Sequence, residues 1–212
     1  VVKKALRIYR AADKLAEIGL PYFSALLLHG ESGCGKTELA RYIAYKANLP
    51  FVYVRFSALV SSYLGSTQAN IARIFDYVRR EPCVLCFDEI DAVGMARGQR
   101  NDVGEMNRIV IALMQELDKL PNNVIIVGTT NRFDRLDPAL IRRFPIQYEV
   151  QKLSPEEACA LAEKIVGYAG IDVEPWKLWF TAAFPESVPA STVVKVCVDE
   201  IVAYIIEKEE EK

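Results

Sequence analysis

An α/β fold with a parallel, three-layer sheet is predicted by three observations. Short apolar runs alternate with helical patterns, a glycine-rich loop joins one such run to one such helix, and carboxylates close another apolar run. Val1 to about Ile18 has helical periodicity, and Gly19-Leu20-Pro21 breaks it. Ala25-Leu26-Leu27-Leu28 is the first strand, and Glu38 to Ala44 is helical. Phe51 to Phe56 reads as a second strand and Gln68 to Arg79 as a helix. Cys83-Val84-Leu85-Cys86-Phe87 is the next strand, its continuous apolar character suiting a parallel strand covered on both faces. Glu105 to Asp118 is helical, Pro121-Asn122-Asn123 is a turn, and Ile146 to Val150 alternates as a last strand.

From Ser154 the pattern turns to helix only. Ser154-Pro155-Glu156-Glu157 is a strong helix start, with helices near Glu156 to Tyr168, Glu174 to Ala183 and Ser191 to Lys208. The expected division is a large α/β domain over residues 1–153 and a small helical domain over 154–212.

Gly30-Glu31-Ser32-Gly33-Cys34-Gly35-Lys36-Thr37 fits the phosphate-loop pattern G-x-x-x-x-G-K-[ST] in the strand-loop-helix setting that the motif requires. Its glycines let successive N–H groups converge on phosphate oxygens, and the following helix adds the positive end of its dipole. Lys36 is suited to the β- and γ-phosphates and the Thr37 hydroxyl to Mg²⁺. Glu38, at the start of the helix, belongs to the same expected nucleotide-binding set. The carboxylates Asp88 and Glu89 follow the third apolar run, where ligands of parallel sheets bind. Asp88 is placed to hold Mg²⁺ directly or through water, and Glu89 to orient or deprotonate an attacking water.

With these residues the chain resembles the AAA+ ATPases, and within them the AAA subgroup. Asp88-Glu89-Ile90-Asp91-Ala92-Val93-Gly94 followed by Arg97 is similar to that group's Walker B signature, and the resemblance is strongest from Ala25 to Val150. It implies a P-loop NTPase sheet of order 5-1-4-3-2, a small helical lid, and ATP with Mg²⁺ as cofactors. It implies that Val124 to Asn131 is a strand ending in the sensor-1 asparagine, although an Asx turn is an alternative for Asn131. Leu136 to Phe144 is similar to the arginine-finger segment, in which arginines reach the nucleotide of a neighbouring subunit. Arg142 and Arg143 are adjacent, as in the microtubule-severing and vacuolar-sorting branch, and which of them enters the site stays open. Tyr63-Leu64-Gly65 resembles pore loop 1 of substrate-threading members; packing beneath the next helix is the alternative. The matching sensor-2 stretch, Ala190-Ser191-Thr192, lacks the family's Asp, so no sensor-2 role is expected.

The implied machine is a homo-oligomeric ring, expected as a hexamer, that remodels, unfolds or translocates protein through a central pore. An adaptor or a separate protease are possible partners, because no His-Glu-x-x-His is present. Two other readings stay open: a nucleotide-dependent assembly switch without threading, and a DNA-remodelling ATPase. Against the latter stand a net charge of −2 and a pI near 5.6. No apolar run approaches the roughly 18–20 residues of a membrane span. A first residue of Val1 fits a domain cut from a longer chain, whose absent N-terminal region would select substrate.

Five cysteines, at 34, 83, 86, 159 and 197, follow no disulfide spacing and point to a reducing, cytoplasmic setting. Cys83 and Cys86 lie three apart on a strand, on opposite faces, and read as core thiols. Cys34 is expected to open to solvent when nucleotide is absent. His29, the only histidine, reads as structural.

Overall fold

The computed structural model describes residues 1–20, 22–61, 67–94 and 102–210. The chain forms two compact units, one of residues 1–30 and 36–149, the other of residues 31–35 and 150–212.

The first unit is a five-stranded parallel sheet. Its strands are β1 (Ser24–His29), β2 (Phe51–Arg55), β3 (Cys83–Asp88), β4 (Val124–Thr130) and β5 (Ile146–Glu149). Their order is β2-β3-β4-β1-β5, the order that the family resemblance implies. Helices α1 (Val2–Glu17), α2 (Lys36–Ala47), α3 (Phe56–Ser61), α4 (Thr67–Val78), α5 (Asp102–Leu117) and α6 (Pro138–Ile141) surround it. All seven residues of β4 are buried, because the strand is central and covered on both faces. Leu27, Leu85, Phe87 and Ile126 face Ile71, Phe75 and Val78 of α4 and Ile109, Leu113 and Leu117 of α5. Phe87 is the hub of this layer: its ring stacks on Phe75 at 5.7 Å and meets Phe56 edge-on at 5.8 Å. One residue later the strand presents Asp88, so this aromatic packing fixes where the carboxylate emerges.

Phe56, expected as the last residue of β2, instead opens α3 and is fully buried. Its ring is drawn onto Phe87, and the chain leaves the sheet edge at Arg55. Cys83 and Cys86 are buried and free, and burial pushes their thiols up to about 11 and about 12. Such thiols stay protonated at neutral pH and serve as packing groups.

The second unit contains α7 (Pro155–Tyr168), α8 (Lys177–Ala183) and α9 (Ala190–Glu210) around Ala158, Ala162, Val166, Phe180, Phe184, Val193 and Cys197. Ser154 caps α7 in a full capping box with Glu157, and Pro155 occupies the first helical position. The helix expected from Glu174 begins as a 3-10 turn, Glu174–Trp176, before α8. Among the described residues, no helix is long and apolar enough to cross a membrane.

Phe87→Ala removes the ring shared by Phe56 and Phe75, and is expected to cost about 3–5 kcal/mol of stability. Chemical denaturation of the purified chain measures it as a lowered midpoint with an unchanged slope.

Candidate nucleotide site

The glycine-rich loop begins where β1 ends. Gly30 and Gly35 take φ of 137° and 97°, a region closed to most side chains, so the turn needs glycine there. Lys36, the first residue of α2, is 7% exposed and donates from Nζ to the Gly30 carbonyl at 3.0 Å. The long side chain is thereby folded back across the loop that it closes.

The middle of the loop, residues 31–35, belongs to the second unit. Ser191, near the start of α9, donates its N–H to the Gly33 carbonyl at 3.0 Å. A Cβ at Gly33 would lie 2.1 Å from Ser191 Oγ, so Ser191 would have to shift to admit one. Lys152 pairs with Glu31 at 2.9 Å. Cys34 is buried at 6% exposure.

Opposite Lys36 and Thr37, the carboxyl ends of β2, β3 and β4 bring Tyr53, Ser57, Asp88, Glu89 and Thr129 together. Thr37 Oγ1 donates to Asp88 Oδ1 at 3.1 Å, joining the two residues that the sequence nominates as metal ligands. Thr129, fully buried in β4, donates from Oγ1 to the same Asp88 oxygen, while accepting from the Glu89 N–H at 3.2 Å. The Tyr53 hydroxyl donates to Asp88 Oδ2 at 2.7 Å. That hydrogen bond, with burial adding, raises the Tyr53 pKa, so the phenol remains a donor at neutral pH. Glu89 has φ of 56°, a left-handed conformation that turns its side chain away from the strand direction of Asp88. Its Oε2 accepts from Ser57 Oγ at 3.3 Å. A second pair lies behind: Thr130 donates to Asp91 at 2.7 Å and accepts from the Arg132 N–H at 2.9 Å.

Asn131 is exposed immediately after β4, at the same end of the sheet as Asp88. His29 stacks on Phe133 with centroids 4.5 Å apart, in keeping with a packing role. The two arginines have different surroundings. Arg143 forms a fork with Asp118, at 2.9 and 2.8 Å, and donates to the Ala139 carbonyl at 3.0 Å. Arg142 is exposed and has no side-chain hydrogen bond or ion pair among the described residues. The segment carrying both starts at Asp137, which caps α6 by accepting from the Ala139 N–H at 2.7 Å. It ends at buried Phe144, whose ring lies 3.3 Å from where a Cβ on Gly128 would stand. Tyr63, Leu64, Gly65 and Arg97 lie outside the described residues.

Tyr53, Ser57 and Thr129 are the site residues that sequence reasoning missed. Two buried threonines closing an otherwise apolar strand, Thr129 and Thr130, are a legible signal for Thr129. Tyr53 and Ser57 leave none, because they reach the carboxylates only through the pairing of β2 with β3.

A positive φ outside glycine is strained, and here the strain is held at Glu89. Glu89→Gly is expected to be more stable than Glu89→Ala by about 1 kcal/mol, since only glycine accepts this backbone freely. Parallel urea titrations of the two variants measure the difference.

The family model described as AAA, the ATPase family associated with various cellular activities, matches residues 26–152. An uncharacterized AAA family ATPase, y4kL, of Sinorhizobium fredii (strain NBRC 101917 / NGR234) is 33% identical over 203 residues, 94% of this chain and 60% of that protein. The peroxisomal ATPase pex6 of Schizosaccharomyces pombe is 38% identical over 148 residues, 67% of this chain and 16% of that protein. The human peroxisomal ATPase PEX6 is 42% identical over 123 residues, 56% of this chain and 13% of its own length. The chain thus spans only part of each of these relatives. The family match and the ATPase relatives together show an ATP-hydrolysing enzyme, and the chain belongs to the AAA family.

Proposed function

We propose that the chain works as a Mg²⁺-dependent ATPase in a ring of its own copies, expected to be a hexamer, and remodels protein by drawing it through the central pore. The observation that carries the nucleotide chemistry is the 3.1 Å approach of the Thr37 hydroxyl to Asp88. An alcohol and a carboxylate side by side suit Mg²⁺, a hard cation that takes few protein oxygens and leaves room for phosphates and water. In that reading Thr37 and Asp88 hold the ion, which neutralises charge developing on the transferred phosphoryl group. The loop from Gly30 to Thr37, with Glu38, cradles the triphosphate, and Lys36 swings from the Gly30 carbonyl to the phosphates. Glu89 takes a proton from the attacking water, and Asn131 holds that water in line. Ser57 holds the Glu89 carboxylate until the water arrives.

The different surroundings of the two arginines support a division of labour. Arg143 spends its donors on Asp118 and Ala139, fixing the end of α6 to the turn after α5. Arg142, exposed and unpaired among the described residues, is the finger offered to the next subunit. Residues 1–153 then act as the ATPase domain and 154–212 as the lid. A cytoplasmic setting is supported by five free cysteines. Protein as the main partner, with an adaptor or a separate protease beside it, agrees with the near-neutral charge of −2. The relatives named as peroxisomal ATPases motivate a search for partners on organelle surfaces.

Mixing two inactive variants tests the ring. Arg142→Ala keeps its own site but lends no finger; Lys36→Ala lends a finger but binds no triphosphate. Combined, they are expected to recover a sizeable fraction of wild-type turnover, and no recovery ends the shared-site reading. Arg143→Ala is expected to act differently, lowering thermal stability along with activity.

Tyr63→Ala tests the pore. ATP hydrolysis is expected to persist while unfolding of a fluorescent protein bearing an unstructured tail stops. Continued unfolding would favour a switch that acts without threading.

A further inference from the structure

We infer that Tyr53 is a positioning residue that orients Asp88 and so sets how much divalent cation the nucleotide site needs. The inference rests on the reading of Thr37 and Asp88 as the cation ligands. In the pairing of β2 with β3, Arg55 stands opposite Asp88 and Tyr53 opposite Cys86. Two residues of strand span about 7 Å, roughly the length of a tyrosine side chain. A phenol lying along the strand therefore delivers its hydroxyl to the carboxylate, at the 2.7 Å observed.

The ring is held from the helix side as well. The Arg41 guanidinium lies 5.9 Å from the Tyr53 ring centre and 4.9 Å from that of Phe51. Arg41 follows Thr37 by four residues on α2, so both side chains share one helix face. A closed circuit results: Thr37 touches Asp88, Asp88 touches Tyr53, Tyr53 packs against Arg41, and α2 joins Arg41 to Thr37.

The circuit divides the two oxygens of Asp88. Oδ1 accepts from Thr37 and Thr129, and Oδ2 accepts from Tyr53. Rotation about the terminal carboxylate bond of an aspartate is otherwise soft. A carboxylate offers about four lone-pair positions; Oδ1 gives both of its own to the two threonines, so the one left for a cation lies on Oδ2, beside the Tyr53 hydroxyl. Tyr53 thus holds the group with Oδ1 turned to Thr37 and Oδ2 turned to the phenol. Without the phenol, Oδ2 opens to solvent and each binding event must order the carboxylate again.

Tyr53→Phe removes the hydroxyl and keeps the ring against Arg41. In the presence of ADP, Mn²⁺ binding measured by electron paramagnetic resonance is expected to weaken about tenfold. The Mg²⁺ concentration for half-maximal ATP hydrolysis is expected to rise by a similar factor, with a smaller fall in kcat at saturating Mg²⁺. Arg41→Gln, which leaves the phenol in place but loosens the ring, is expected to shift both in the same direction by less. Unchanged cation binding in Tyr53→Phe, beside a clear loss in Asp88→Asn, overturns the inference and leaves the ligand assignment standing. Unchanged binding in Asp88→Asn overturns the assignment itself.

Discussion

The site depends on one carboxylate receiving hydroxyl donors from three separate elements. Thr37 comes from α2, Tyr53 from β2 and Thr129 from β4, and all three converge on Asp88 at the end of β3. Of these elements only α2 and β2 are consecutive in the chain. They meet only because the strand order puts β2 and β4 on either side of β3, with α2 packed against the same strand. The parallel sheet is the device that turns four distant sequence positions into one polar cluster. Hydrogen bonds to a charged acceptor are stronger than neutral ones, so this cluster also holds the sheet's carboxyl edge in register.

Asp88 and Glu89 show how adjacent carboxylates acquire different tasks. Asp88 ends a regular strand and is surrounded by donors; Glu89 adopts a left-handed backbone, and its carboxylate accepts from the Ser57 hydroxyl. The Thr129 hydroxyl spans both residues, accepting from the Glu89 N–H while donating to Asp88. Strain at Glu89 is thus braced by the neighbouring strand. A weakly held carboxylate next to a firmly held one suits a proton acceptor beside an ion ligand.

Much of this was legible in the chain before its fold. The strands, the sheet order and the loop from Gly30 to Thr37 follow from apolar runs, a spaced motif and a family likeness. Helix starts at Asp137 and Ser154 were legible because capping is local chemistry. Phe56 was misread because local periodicity continues the strand, while a tertiary contact with Phe87 draws the residue into a helix. Tyr53 and Ser57 were invisible for a related reason. On the sequence they are an alternating residue of an edge strand and a polar residue just past it, and only register brings them to carboxylates more than thirty positions away. Arg142 and Arg143 are indistinguishable as letters, and Asp118 separates them.

Gly128 lies just past the middle of the central strand, and the ring of Phe144 rests where a side chain there would stand. Phe144 directly follows Arg143, so the segment carrying the two arginines is packed against the central strand. The same β4 continues to Thr129 and the carboxylates. The strand thus carries Thr129 near its carboxyl end and, one residue earlier, the seat of the Phe144 ring. Movement in either place has a mechanical route to the other that crosses no solvent.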